Sequence, residues 1–126
     1  MNSEERRRDL PQRTFDFALR IVKLCLVLDK APGVSRTLAN QLLRSGTSIG
    51  ANVEEGQASQ SRADFLSKYS IACKEARETH YWLRLIIASD ILAESKLKDL
   101  TEEANQLVAI LTSIVKKVRM SLKKKK

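Results

Sequence analysis

The chain has 126 residues, of which 43% are hydrophobic, and a formal net charge of +8. This length predicts one domain, and only four glycines and two prolines favour helix over strand. The charged N-terminus lacks the apolar segment of a secretory signal. The longest apolar run, residues 21–28, is interrupted by Lys23 and is far shorter than the ~20 residues of a membrane span. These features predict a cytoplasmic all-α protein with no membrane association.

Most of the positive charge lies at the C-terminus. Seven basic residues and no acidic ones occur in residues 116–126: Lys116, Lys117, Arg119, Lys123, Lys124, Lys125 and Lys126. The rest of the chain has 16 basic residues against 15 acidic ones and is nearly neutral. We expect residues 1–10 to form a charged N-terminal segment and residues 119–126 a basic tail. The tail would contact phosphates or, alternatively, serve only solubility.

The first predicted helix runs from near Pro11 to Lys30 and carries two apolar stripes. One stripe consists of Phe15, Leu19, Val22 and Leu26, and the other of Phe17, Ile21, Leu24 and Leu28. A helix in a monomeric bundle normally needs one apolar stripe. The second stripe therefore predicts association between copies, unless the bundle wraps its helices more deeply.

The second helix is predicted to begin near Ser35, an N-cap candidate after the turn residues 31–33. It continues through "RSGTSIGANVEEG" (44–56), which holds three of the four glycines. Steps of three and four pass through this stretch at Leu38, Leu42, Ser45, Ile49, Asn52 and Gly56. A phosphate-binding loop would need a lysine after its second glycine, and residues 31–67 contain none. We predict a helix whose glycines permit close approach of a neighbouring helix or subunit, the alternative being a kink or loop.

Two further helices complete the predicted bundle. "SRAD" (61–64) has the spacing of a capping box and opens the third helix, which "SDILAES" (89–95) ends. Its apolar stripe is Phe65, Tyr69, Ala72, Ala76, Thr79, Leu83 and Ile86. The stripe of the fourth helix is Leu97, Leu100, Ala104, Leu107, Leu111, Ile114 and Val118. The sequence therefore predicts an antiparallel up-down four-helix bundle over residues 11–118.

A polar stripe accompanies the glycines on the second helix. It consists of Gln41, Ser45, Ser48, Asn52 and Glu55, and the third helix offers Lys68, Glu75 and Glu78. A hairpin that turns near Ser59 would bring Ser48 close to Ala72 and Glu75 close to Ser45. We therefore predict a buried or half-buried interhelix polar network that, with Gly50 and Gly56, fixes the helix register. The alternative is that the carboxylates are solvated surface charges.

The candidates for catalysis are weak. The single histidine, His80, follows Arg77 rather than the glutamate of a di-iron Glu-x-x-His motif. A triad of Ser48, His80 and Glu75 would lack a nucleophile elbow. Cys25 and Cys73 lie far apart in apolar patterns and are expected to be reduced and buried. We predict a non-enzyme without metal or cofactor, and no aromatic stacking platform, because the aromatics fall near packing stripes.

Residues 45–86 resemble the small four-helix-bundle proteins found in intervening sequences of large-subunit ribosomal RNA genes. The residues that carry the resemblance are Ser48-Ile49, Asn52-Val53, Glu55-Gly56, Phe65, Ala72, Glu75, Glu78 and "YWLRL" (81–85). The resemblance extends more weakly over residues 12–118. The chain has Lys74-Glu75 where many relatives have Gly-Ser, so a role tied to that pair does not transfer.

That family is similar to the accessory protein of diversity-generating retroelements, a ring-like homopentamer that binds nucleic acid and reverse transcriptase through a basic surface. The resemblance therefore implies a homopentamer, RNA or DNA as a partner, and a reverse transcriptase or another protein as a second partner. Together with the basic tail, it predicts an accessory nucleic-acid-binding protein. The alternative is a purely structural or protein-interaction bundle.

Overall fold

Four long helices form the computed structural model, which describes residues 3–124, with side chains from residue 9 onward. The helices are α1 (Ser3–Leu28), α2 (Val34–Gln57), α3 (Arg62–Ala88) and α4 (Glu94–Lys124). Each packs against its neighbour in the chain, and α4 also meets α1. The short connections make consecutive helices antiparallel, which confirms the predicted up-down bundle. Within the described residues, no helix is long and apolar enough to cross a membrane.

The core follows the predicted periodicity. All seven positions predicted for the stripe of α4 are buried, and so are all those predicted for α3 except Phe65, which is half-buried. Residues three or four positions apart share one face of a helix. Spacing therefore identified most of the residues that the two helices contribute to the core, but not Cys73 and Val115, which are buried outside the predicted stripes.

The beginnings of α2 and α3 differ in how they are capped. Ser61 is the N-cap of α3, and its side chain accepts a hydrogen bond from the backbone N–H of Asp64 at 3.0 Å, as predicted. The prediction of Ser35 as the N-cap of α2 is wrong. The N-cap is Gly33, whose φ of 90° suits glycine, and Ser35 instead donates a hydrogen bond to the carbonyl oxygen of Leu28 at 2.7 Å.

Both terminal boundaries predicted for the bundle also differ from the structure. α1 begins at Ser3 and continues through Pro11, and Leu10 is fully buried in the core. α4 continues to Lys124, with Leu122 packed against the core, so residues 119–124 extend a helix rather than form a separate tail. Packing of Leu10 and Leu122 explains both extensions, because tertiary contacts override a local breaker or a charge run.

The two apolar stripes of α1 face different environments. Phe17, Ile21 and Leu28 are buried. The other stripe, which we name the outer stripe, is exposed: Phe15 at 50%, Leu19 at 47%, Val22 at 38% and Leu26 at 65%. The outer stripe is therefore not part of the core of one copy, and it leaves a continuous apolar surface along α1.

Glycines let α2 pack closely against both of its neighbours. A Cβ atom at Gly46 would lie 2.8 Å from the side chain of Ile21, and one at Gly50 would lie 3.2 Å from the backbone oxygen of Thr14. A Cβ at Gly56 would lie 2.5 Å from the ring of Tyr69 on α3. Residues 44–56 are helical throughout, and the close approach predicted for their glycines occurs between helices of the same chain.

An ion pair joins α1 to α4. The guanidinium of Arg13 donates to both carboxylate oxygens of Glu103, at 2.6 and 2.7 Å, and also to the side chain of Gln106 at 2.7 Å. Both side chains of the pair are largely shielded from solvent, and the hydrogen bonds to Glu103 raise the pKa of Arg13. This bidentate geometry fixes the relative position of the two helices.

Candidate nucleic-acid interface and interhelix polar network

The last turns of α4 are basic on their outer side. Five cationic residues are exposed there: Lys116, Lys117, Arg119, Lys123 and Lys124. On the inner side of the same turns, Val115 and Val118 are buried and hold the helix against the core. None of the five forms an ion pair with a residue that the structure describes. Lys125 and Lys126 lie outside the described residues.

The sequence around these cations contains no compensating acid. Glu103 is the last acidic residue of the chain. We name the five exposed cations the α4 basic end. Because the turns are helical and anchored, the backbone that carries these charges is held in place relative to the bundle.

The start of α3 lies against the α4 basic end. Arg62 donates a hydrogen bond to the hydroxyl of Ser121 at 3.0 Å. Ser121 also borders a shallow surface depression together with Lys117, Met120 and Lys124. Arg62 thus adds a sixth exposed cation, contributed by a different helix.

Arg62 also lines a second depression, which we name the end pocket. It has a volume of about 410 Å³ and lies between the α2–α3 connection and α4. Its lining residues include Gln57, Ser59, Gln60, Arg62, Phe65 and Val118, and none of them is acidic. The ring of Phe65 stacks on Tyr69 with centroids 4.1 Å apart. Sequence reasoning placed Phe65 only in the packing stripe and missed its position beside a basic surface.

At the centre of the α2–α3 interface, two buried hydroxyls meet. The side chains of Ser45 and Thr79 are both fully buried, with their oxygens 3.0 Å apart. The Thr79 hydroxyl also lies 2.7 Å from the backbone oxygen of Glu75. Thr79 has one hydroxyl proton, which it donates either to Ser45 or to the Glu75 carbonyl oxygen. Ser45 has the carbonyl oxygen of Leu42 at 3.4 Å as a further acceptor. Both hydroxyls therefore have hydrogen-bond partners within the protein and need no water.

A charged cluster lies beside this pair, nearer to solvent. The guanidinium of Arg44 binds the carboxylates of Glu75, at 3.2 Å, and of Glu78. The indole N–H of Trp82 donates to Glu78 at 3.1 Å. Arg44 is half exposed, whereas Glu75 is only 12% exposed. Arg44 on α2 therefore joins that helix to the two predicted carboxylates on α3.

The remaining predicted members of the polar motif have other roles. Ser48 donates to the carbonyl oxygen of Arg44, and Asn52 donates to that of Ser48, so both bonds stay within α2. Glu55 is exposed. The predicted network therefore exists around Ser45, Glu75 and Glu78 and is shorter than the predicted stripe. Arg44, Thr79 and Trp82 were missed, because sequence periodicity does not identify which side chains are long enough to reach across.

The residues considered for chemistry are not gathered into a site. Burial, followed by the charge of Arg84, lowers the pKa of His80, which is half-buried. Burial raises the pKa of the Cys25 thiol to about 11, and both cysteines are free and buried. Across residues 9–124, no three His, Cys, Asp or Glu side chains are grouped so as to hold a metal ion.

Comparison with known proteins identifies relatives of this fold. Residues 6–113 match the family model described as 23S rRNA-intervening sequence protein. A crystal structure from Bacteroides thetaiotaomicron, described as a protein with unknown function from the S23 ribosomal protein family, is 39% identical. The similarity covers 88% of this chain and 98% of that chain, with a TM-score of 0.78. No curated protein matches the chain. The chain belongs to the 23S rRNA-intervening sequence protein family.

Proposed function

We propose that this protein is a non-enzymatic, oligomeric accessory protein of the cytoplasm that binds RNA or DNA through the α4 basic end. The observation that carries the proposal is the set of five exposed cations on anchored helical turns, without acidic partners among the described residues. Arg62 extends this surface onto α3. Lys and Arg contacts to phosphates release counterions and supply affinity that does not depend on sequence.

Oligomerisation is the second part of the proposal. The outer stripe exposes four large apolar side chains in a row along α1, and Leu43 on α2 is 38% exposed. Burial of apolar surface contributes about 25 cal/mol per Å². Contacts of the outer stripe of each copy with a different surface of the next copy would assemble a homo-oligomer, and a ring of the five copies that the family resemblance implies needs such heterologous contacts.

An oligomer would strengthen a weak interaction with nucleic acid. Each copy would contribute one α4 basic end, and linked sites raise the effective concentration of one another. A long RNA or DNA could then bind several copies at once. The two parts of the proposal are therefore coupled: dissociation of the oligomer weakens binding even though every phosphate-binding side chain is still present.

The test compares two variants that lose the same charge. In the α4-end variant, Lys117, Arg119, Lys123 and Lys124 are each replaced by Gln. In the opposite-end control, Lys30, Arg36, Lys96 and Lys98 are replaced by Gln; these four are exposed at the other end of the bundle. Substitution is preferable to removal of residues 116–126, because removal would also delete the buried Val118.

Binding of labelled RNA and of duplex DNA is measured by fluorescence anisotropy, with the mass determined in parallel by light scattering. We expect the α4-end variant to lose at least about tenfold in affinity near physiological salt. The control should lose much less, although both variants have the same net charge. Equal losses would reject the α4 basic end as the binding surface.

The alternative function is a structural or protein-interaction bundle, which the exposed outer stripe favours. Under this alternative the partner is another protein, such as the reverse transcriptase that the resemblance implies. An intact oligomer that binds neither RNA nor DNA, even at low salt, would support it and overturn the nucleic-acid proposal.

A further inference from the structure

We propose that the end pocket holds an unpaired base of a single-stranded nucleic acid whose phosphates contact the α4 basic end. This inference rests on the proposed function and deepens it, since phosphate contacts alone do not distinguish single strands from duplexes. Four features of the end pocket support it: its size, its aromatic wall, its polar rim and its position.

The size and composition of the end pocket suit a flat heterocycle. Its volume of about 410 Å³ lies within the ~300–1,000 Å³ range that is typical of small-molecule sites. Phe65 and Val118 give it apolar surface, and Gln57, Gln60 and Ser61 give it polar groups. This combination is what a base requires, because its faces are apolar and its edges carry donors and acceptors.

Phe65 is the aromatic side chain that a base would contact. Tyr69 covers part of its ring, with centroids 4.1 Å apart and planes inclined by 22°. Tyr69 is itself buried and accepts a hydrogen bond from the side chain of Gln57 at 2.6 Å. This support holds Phe65 in place, while the part of Phe65 that remains exposed lines the end pocket. Stacking of bases on aromatic side chains tolerates any sequence.

The position of the end pocket connects it to the phosphate surface. Arg62 lines it and binds Ser121, which borders the neighbouring depression with Lys117 and Lys124. Among residues 9–124, no acidic side chain lines either depression. A strand whose phosphates follow Lys124, Lys117 and Arg62 would therefore bring a base to Phe65. A duplex keeps its bases stacked inside, so it would offer only phosphates.

The experiment uses three probes of equal length: a single-stranded oligonucleotide, the same strand with abasic sites in place of its central bases, and the corresponding duplex. The two single strands present the same phosphates and the duplex presents twice as many, but only the first probe presents unpaired central bases. We expect the wild-type protein to bind the base-containing single strand about tenfold more tightly than the abasic strand.

Two substitutions of Phe65 separate stacking from packing. Phe65→Leu keeps apolar volume and removes the ring, whereas Phe65→Tyr keeps the ring. We expect Phe65→Leu to abolish the preference for the base-containing strand and leave duplex binding unchanged, and Phe65→Tyr to retain the preference. Arg36→Gln, at the opposite end of the bundle, serves as a control for Arg62→Gln, which should weaken binding of all three probes.

A crosslinking measurement on the wild-type protein does not depend on the stability of any variant. An oligonucleotide that carries 4-thiouridine is irradiated and the crosslinked peptides are identified by mass spectrometry. The inference predicts crosslinks within residues 56–65. Crosslinks confined to α4, or equal affinity for the base-containing and abasic single strands, would overturn the inference and leave the proposed function intact. Absence of binding to every probe would overturn both.

Discussion

Where α2 meets α3, a pair of small polar residues is buried and bonded, whereas the outer stripe of α1 leaves large apolar side chains exposed. Ser45 and Thr79 are fully buried and bonded to each other, while Leu26 is 65% exposed. No buried side-chain nitrogen or oxygen among the described residues lacks a hydrogen-bond partner. The interior thus satisfies its own polar groups, and the surfaces that we propose for partners lie outside it, on the outer stripe and the α4 basic end.

The helical repeat also serves a different purpose in each region, close packing on α2 and an exposed apolar surface on α1. On α2, a spacing of one helical turn places Gly46 and Gly50 where α1 passes within van der Waals contact. On α1, the same spacing repeats Phe15, Val22, Leu19 and Leu26 toward solvent. Substitutions in the first region should change the stability of each copy, and substitutions in the second should change assembly.

The largest effect is expected at Gly50. A leucine there places its Cβ 3.2 Å from the backbone oxygen of Thr14, which cannot rotate away as a side chain can. We expect Gly50→Leu to lower the free energy of unfolding by about 3 kcal/mol or more. Thermal and urea denaturation measure the change. Ala51→Leu, at the exposed neighbouring position, is the control, and equal stability of the two variants would contradict close packing at Gly50.

The next effect is expected on assembly rather than on folding. Leu19→Glu places a charge in the outer stripe. It weakens each contact between copies that includes this residue by about 2 kcal/mol, because the apolar burial of the leucine side chain is lost. We expect the mass measured by light scattering to fall to that of a single copy, while the melting profile stays cooperative. Arg20→Glu adds the same acidic group at an exposed position outside the stripe and should leave the mass unchanged. A full-size oligomer of Leu19→Glu would exclude the outer stripe as the contact.

A smaller effect is expected for the buried hydroxyl pair. Thr79→Val keeps the shape of the side chain but leaves the Ser45 hydroxyl with a backbone contact of 3.4 Å within α2. We expect a loss of about 1–2 kcal/mol in the free energy of unfolding. Adding Ser45→Ala should recover part of that loss, because neither hydroxyl is then left buried. Additive losses in the double variant would show that the two hydroxyls do not interact.

The smallest effect is expected in the charged cluster. Glu78→Gln can keep the bond from Trp82 but loses its charge, and Arg44 is half exposed. Partly solvated pairs contribute about 0–1 kcal/mol, and salt screens them. We therefore expect a decrease of less than about 1 kcal/mol that shrinks further in high salt. A loss as large as that of Thr79→Val would mean that the cluster is shielded from solvent.

The fold was predictable from the sequence, because periodicity and capping act locally. The stripes of α3 and α4 and the Ser61 cap follow from spacing and residue type. The start of α1 was not predictable, because Pro11 is a local helix breaker and the burial of Leu10, which supports the helix through it, is a tertiary contact. The start of α2 depends on the conformation of Gly33, which the residue type of Ser35 does not indicate.

The candidate site was predictable only in part. Charge placement identified the basic residues near the C-terminus, but not that they continue a helix as far as Lys124. The involvement of Arg62 and Phe65 depends on how the α2–α3 connection lies against α4. Pairs of residues about 60 positions apart that meet in the fold leave no signal in local periodicity.

The most direct test of the central claim is the salt dependence of RNA binding by the wild-type protein and the α4-end variant. For single strands, the slope of log K against log [salt] changes by about 0.7 for each phosphate that the protein neutralises. A variant that neutralises four fewer phosphates should therefore have a slope smaller by about 2.8, with little change in the opposite-end control. Identical slopes for all three proteins would contradict the account, because the α4 basic end would then bind no phosphate.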